Sequence, residues 1–322
     1  MKKDLDDIFN EEKLDKEIKK VKRKSRYRIF LISAIVSISI FIGGFYLNRY
    51  MLYKKSSADM IRQKNIVRLT IPNGFITKSY YDFEFLGGKS YNRIGRQVGD
   101  RTVILEDRRH RFGISIGTSV TSSSSPRTIR PSDRPSPSFW ETGYRKIIYY
   151  HPDIEYKVYR EDLNILDEIP SGKLIEMGLS FDKGYKPEDI NKILPNINKS
   201  WIWLDLFTDE EMDKYRFEAE NYDASAAYIP EDEILGISSM RLDIFSYGAL
   251  KSRVLELFQV LEESPIEEHS QISEKYTIED SDEFEMPMMI GAIVYGTKDE
   301  LQRLVDNPHI KASSIGVVVD MY

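Results

Sequence analysis

The chain has 322 residues, of which 41% are hydrophobic and 30% charged, with a net charge of −6 and no cysteine. That length allows two units of ordinary size beside any anchor, and the lack of thiols excludes a disulfide framework, a Cys-ligated zinc site and lipoprotein attachment. Residues 1–28 carry eleven bases against seven acids, so the remainder stands at −10, and no basic stripe there supports direct contact with nucleic acid.

Residues 1–28 read as a charged helical tail. Leu14, Ile18 and Val21 follow an i, i+4, i+7 spacing, with Leu5, Ile8 and Phe9 one or two turns earlier. Glu12 to Lys16 and Asp15 to Lys19 are acid-before-base pairs at i, i+4, the favourable order along a helix. Two readings stay open for this tail. It is a solvated juxtamembrane helix drawn to anionic lipid, or it docks a partner through Leu14, Ile18 and Val21. Its last ten residues hold Lys19, Lys20, Lys22, Arg23, Lys24, Arg26 and Arg28 and no acid.

Ile29 to Leu47 then runs nineteen residues without a charge or a proline. At ~1.5 Å per residue this approaches the ~20 residues that cross a ~30 Å hydrocarbon core, which predicts a transmembrane helix over 29–48. The run is longer than a signal-peptide core, and it leaves through Phe45, Tyr46, Leu47, Asn48 and Arg49, poor context for cleavage. Tyr46, Arg49 and Tyr50 flank it where interfacial side chains belong, as do Tyr27 and Tyr53. Residues 9–28 hold nine Lys and Arg against six in residues 49–68, which predicts a cytoplasmic N-terminus and an extracytoplasmic C-terminal part.

Residues 49–139 are expected to start as a linker and pass into short strands: Ile66–Ile71, Tyr80–Phe85, Val103–Leu105 and Phe112–Ile116. Gly74, Gly87-Gly88 and Gly99-Asp100 supply turns between them. Thr118 to Ser138, rich in serine and proline, reads as a loop or linker unable to support a core, with Arg127, Arg130 and Arg134 along it.

Residues 140–322 are richer in pattern. Leu174–Phe181 reads as a strand, Lys186 to Asp189 opens a short helix that Pro195 stops, and Trp201–Phe207 returns as a strand with Trp201, Trp203 and Asp205 on one face. Thr208 to Glu211 is a T-x-x-E capping box that starts a helix through about Glu220. Leu250, Val254, Leu257, Phe258 and Leu261 form a helical stripe. Met286–Tyr295 reads as a buried strand, Gly296 as room for a tight turn, Thr297 to Glu300 as a second capping box, and Ile315–Val319 as a closing strand. The fold class is therefore α+β: one transmembrane helix, then an extracytoplasmic part with a mixed sheet and helices packed on one face.

Motifs that carry chemistry are weak. Gly113-Ile114-Ser115-Ile116-Gly117 has the letters of a nucleophile elbow, but no helix can begin in the Ser/Pro run behind Ser115. His110, His151, His269 and His309 are scattered without ligand spacing. The acidic run from Glu279 to Glu285 lacks EF-hand spacing and reads as a solvated loop. Gly87-Gly88-Lys89-Ser90 ends like a P-loop, yet Phe83 stands where the motif needs its first glycine, so it reads as a turn. Trp201 and Trp203 are either a carbohydrate-stacking pair or core, and same-face aromatics on a strand favour core. No catalytic residue, metal, cofactor or small-molecule substrate is identified, and no enzyme is expected.

Two stretches resemble a known family. Glu11 to Val103, from EEKLDKEIKKVKRKSRYR through the apolar run to YNRIGRQVGDRTV, resembles the N-terminal module of bacterial sigma factor regulators, membrane-bound anti-sigma factors of the extracytoplasmic-function type. Met288 to Asp320, MMIGAIVYGTKDELQRLVDNPHIKASSIGVVVD, resembles their C-terminal module, and LSFDKGYKPEDINKIL and WIWLDLF fit its beginning. The resemblance implies a membrane-anchored regulator whose tail contacts a sigma factor or another anti-sigma protein while the exterior senses or modulates. It also implies that Gly296, Thr297 and Glu300 serve the fold of that module. The tail is far shorter than a zinc-type anti-sigma domain, so capture would rest on one helix. The alternative is an extracytoplasmic envelope-binding module with a simple membrane anchor.

Overall fold

A computed structural model of the chain describes residues 11–113, 138–223, 226–239, 247–264, 266–276 and 284–321. Leu5, Ile8 and Phe9, Ser115, Arg127, Arg130, Arg134 and the run from Glu279 to Glu283 lie outside the described residues.

Helix α1 (Glu11–Thr70) is a single rod of 60 residues, about 90 Å long at ~1.5 Å per residue. The tail, the apolar run and the segment after it are one element. This corrects the expected linker after residue 49 and the expected strand Ile66–Ile71. No proline interrupts the chain until Pro72, and the β-branched residues near the end are helical because tertiary contacts outweigh their modest strand preference. Pro72 has no backbone N–H to continue the ladder, Asn73 turns with φ +55°, and the chain reverses.

The reversed chain forms an antiparallel three-stranded sheet, β1 (Gly74–Phe83), β2 (Gly87–Val98) and β3 (Arg101–Gly113). Gly87 to Ser90 begins β2 instead of forming the expected turn; the turn lies just before it, with Leu86 at φ +62°. Gly88 is required by close approach, since a Cβ there would sit 2.5 Å from the Asp82 carbonyl oxygen and 2.7 Å from the Phe112 ring. The expected strand Val103–Leu105 and the start of the expected strand Phe112–Ile116 are joined in β3, and residues 114–116 lie outside the described residues. The charged stretch between them, Glu106 to Arg111, hid the continuity because polar side chains occupy both faces of that strand.

The C-terminal part holds an antiparallel five-stranded sheet ordered β10-β5-β9-β6-β8, made of β5 (Lys173–Tyr185), β6 (Asn198–Leu204), β8 (Gly236–Ser238), β9 (Met289–Gly296) and β10 (Ile310–Asp320). A small ribbon pairs β4 (Ile148–Tyr149) with β7 (Ile229–Pro230). The expected α+β class holds. Alternate residues of β5, β6 and β9 (Met177, Leu179, Ile202, Leu204, Ala292 and Val294) pack on α2 (Pro187–Ile193), α4 (Tyr247–Glu262), α5 (Glu267–Tyr276) and α6 (Lys298–Leu301). The opposite face is also covered: Trp201, Trp203, Ile290 and Ile293 meet Met212, Tyr215 and Ala219 of α3 (Asp209–Asn221). Trp201 and Trp203 are core residues, while Asp205 lies past the end of β6 and meets His151 Nε2 at 3.2 Å.

A third cluster welds the two sheets. Val67 of α1 and Ile71 just after it, Ile94 and Val98 of β2, and Val103 and Leu105 of β3 pack with Trp140 and Val317. Each such side chain removed from water contributes on the order of 1.5–3 kcal/mol.

Candidate functional site at the helix–sheet seam

Apart from Leu69, the buried positions of α1 beyond the apolar run are Leu52, Ser56, Asp59, Gln63 and Val67. Their spacing of four, three, four and four residues is one face of a helix, but the three central positions are polar. Opposite them the inner face of the three-stranded sheet is polar too, with Ser90 and Asn92 of β2 buried and His110 of β3 beside them. Ser90 donates to Asp59 Oδ2 at 2.9 Å, and Asp59 Oδ1 lies 3.3 Å from His110 Nε2 and 3.4 Å from Arg62 Nη2. Arg62 Nη2 donates to His110 Nε2, so that nitrogen is the unprotonated one. Burial lowers the His110 pKa, Asp59 pulls it back up, and Arg62 lowers it further.

The seam extends along the helix in register. Near its far end Arg108 Nη1 reaches Thr70 Oγ1 at 3.5 Å, and near the apolar run the Leu86 N–H donates to Asn48 Oδ1 at 3.1 Å. Directional bonds of this kind fix one alignment of sheet on helix, because a buried donor or acceptor left unpaired costs about 1–3 kcal/mol. An apolar seam would tolerate sliding; this one does not.

The same helix is also bound to the C-terminal part. Arg68 Nη1 donates to Glu256 Oε1 at 2.7 Å, Asn65 Nδ2 donates to Glu263 Oε2 at 3.0 Å, and Leu69 enters the main core. Between the sheets, Arg96 of β2 is fully buried with Glu176 of β5 and with Glu231, just after β7. Arg96 Nη1 donates to Glu176 Oε2 at 3.1 Å and Nη2 to Glu231 Oε2 at 2.7 Å. The Val317 N–H also donates to Glu176 Oε2, at 3.3 Å. Burial raises the Glu231 pKa, Arg96 opposes it and Glu176 adds to it, with the carboxyl pushed up to about 7. With a single guanidinium between two buried carboxyls, Glu231 sits at the edge of protonation.

Two open grooves flank this junction. One of about 520 Å³ has an apolar floor and a rim that includes Glu210, Asp232 and Glu268; the other, of about 610 Å³, has Lys64, Arg68 and Arg253 on its rim. Among the described residues no three His, Asp or Glu side chains converge to hold a metal ion.

The residues singled out from sequence fall elsewhere. Leu14, Ile18 and Val21 share one face of α1 and are 56, 41 and 63% exposed. Lys19, Lys20, Lys22, Arg23, Lys24, Arg26, Arg28, Tyr46, Arg49 and Tyr50 are all exposed around the two ends of the apolar run. Asp15 pairs with Lys19 at 3.5 Å as the i, i+4 spacing expects. The apolar window of this helix has a mean hydropathy of 2.3 and no buried residue, which makes it long and apolar enough to cross a membrane once. Thr297 and Glu300 form a complete capping box on α6, with Thr297 N–H donating to Glu300 Oε2 at 2.8 Å and Glu300 N–H to Thr297 Oγ1 at 3.3 Å. Gly296 leaves room for the Glu300 carboxylate, which a Cβ would meet at 2.9 Å.

Sequence reasoning missed Asp59, Arg62, Ser90, His110, Arg96, Glu176 and Glu231. Two signals were present. Polar residues at helical spacing between Leu52 and Val67 mark a face that is buried but not apolar. Glu176, a lone acid between Ile175 and Met177 in a strand, requires a buried partner.

Comparison with protein-family models matches residues 15–103 to the sigma factor regulator N-terminal model and residues 166–317 to the sigma factor regulator C-terminal model. Comparison with curated proteins finds no match, and neither does comparison with solved structures. The first match covers most of α1 together with β1 and β2 and ends at the start of β3; the second covers most of the five-stranded sheet and its helices. With both modules present in order over most of the chain, the chain belongs to the sigma factor regulator family.

Proposed function

We propose that this regulator is an anti-sigma protein that acts without catalysis, its tail in the cytoplasm and its sheets on the far side of the membrane. In this reading Leu14, Ile18 and Val21 contact a sigma factor or another anti-sigma protein, and the distal part senses or modulates. The observation that carries it is the unbroken helix from Glu11 to Thr70. It places the exposed tail face and the seam on one rigid element, so whatever rotates or releases the seam moves the tail as well. The excess of Lys and Arg before the apolar run supports the sidedness.

The test is the full-length chain carrying Leu14→Ser, Ile18→Ser and Val21→Ser, with sigma factor recovered by co-purification from the cells. Loss of three apolar anchors is expected to weaken capture by roughly a hundredfold or more and to raise sigma-dependent transcription. Unchanged recovery and unchanged transcription would overturn the assignment. The open grooves beside the seam favour a second reading, an envelope-binding module with a simple anchor. Replacing residues 1–20 by an unrelated charged helix separates the two, since activity would survive only in the second.

A further inference from the structure

The three-stranded sheet hangs back along the helix toward the apolar run. From Asn48 to Thr70 the helix climbs about 33 Å, and β1, with its ten residues, returns over about the same distance at ~3.3 Å per residue. The hydrogen bond from the Leu86 N–H to Asn48 Oδ1, 3.1 Å, closes the return at a defined level. Asn48 is the first residue after the apolar run, and Arg49 follows it. A membrane that contains Ile29–Leu47 therefore has its surface at the tip of the β1–β2 hairpin.

The tip is built for that level. Phe85 is 80% exposed and Phe83 40%, although a water-facing turn has no use for two phenylalanines. Phe83 is held edge-on to Phe112 with ring centres 6.0 Å apart, and the hairpin strands are drawn together at Gly88, so the tip is stiff. Asp82 and Glu84 are offset there by Lys89, which pairs with Glu84 at 2.7 Å, and by exposed Arg111. The local charge is near balance, and apolar transfer decides the outcome.

We propose that the β1–β2 hairpin tip is a second membrane contact, with Phe85 and Phe83 seated in the headgroup layer of the bilayer that α1 crosses. Aromatic side chains at the polar–apolar boundary gain apolar burial without desolvating the hairpin backbone. With the helix crossing and the tip seated, the sheet is held at two points and its rotation about the helix axis is fixed. The inference requires α1 to cross a bilayer, and it holds for either orientation and with or without sigma capture.

The experiment uses the full chain carrying Phe85→Trp, reconstituted in nanodiscs of phosphatidylcholine with and without lipid brominated high on its acyl chains. Trp140, Trp201 and Trp203 are buried, so the wild-type chain in the same discs supplies the background. An unchanged thermal midpoint shows that the variant folds. The expected result is that the added indole emission is blue-shifted and lost on bromination, while iodide in the water quenches it little. Emission quenched by iodide and indifferent to bromination would place the tip in solvent and overturn the proposal. A blue-shifted emission indifferent to both quenchers would assign the tip to a protein contact and overturn it equally.

Discussion

Burying one guanidinium between two carboxyls gives Glu231 a pKa of about 7 against an ordinary 4.5. The folded protein therefore holds a proton on Glu231 that the unfolded chain has released. Its contribution to stability is full below pH 4.5 and is lost as the pH rises through about 7, because a second negative charge then has to occupy a dry site served by a single arginine. Glu231→Gln keeps an acceptor for Arg96 without the titration. Thermal midpoints between pH 5 and 8 are expected to fall for the wild type and to stay flatter for the variant; parallel curves would remove Glu231 from the account. His110 acts with the opposite sign. Its lowered pKa means that acidification below the ordinary 6.5 favours the unfolded chain, which takes up the proton more readily. Neither behaviour could be read from residue type alone, since both depend on neighbours such as Asp59, Arg62, Arg96 and Glu176 that lie 48 or more positions away in the chain.

At the level of single elements, local chemistry was most legible where it is self-contained. Thr208-x-x-Glu211 and Thr297-x-x-Glu300 each form the full reciprocal box, because both partners lie within one turn and need nothing from the rest of the fold. Thr208→Ala and Thr297→Ala should each cost about 1 kcal/mol, measured by denaturant unfolding, with the second lowering the stability of the segment after β9. The helical stripe from Leu250 to Leu261 was equally plain, its apolar period being unbroken. The end of α1 was not. Ser56, Asp59 and Gln63 interrupt the apolar period, and Ile66, Val67 and Ile71 imitate a strand. Only the sheet lying against that face, with Ser90, Asn92 and His110 as polar counterparts, makes a helix the better solution.

For the molecule as a whole, the question is what keeps two sheets and one long helix together as a unit. Apolar packing at Val67, Ile71, Ile94 and Val317 supplies most of the adhesion, and the Arg96 cluster supplies the alignment. Among the described residues Arg96 Nε, Glu176 Oε1 and Glu231 Oε1 find no partner, so the cluster is not an optimised source of stability. Removing its centre is another matter. Arg96→Met strands two buried carboxyls and is expected to destabilise by about 3–5 kcal/mol, more at pH 8 than at pH 5, with amide exchange in β2 and β3 accelerating first. Equal exchange in both sheets would mean that the join does not depend on Arg96.

Composition and local pattern by themselves determined the apolar run, the capping boxes, the α+β class and the resemblance to sigma factor regulators, because each rests on residues that are neighbours along the chain; for Trp201 and Trp203 they favoured the core without deciding it. The tertiary structure alone decided that tail, span and seam are one helix, that the sheet returns to the membrane end of that helix, and that Arg96 faces Glu176 and Glu231. Those outcomes depend on which polar groups meet after folding. A buried polar residue gains its meaning only from a partner, and here the partners lie tens of residues away.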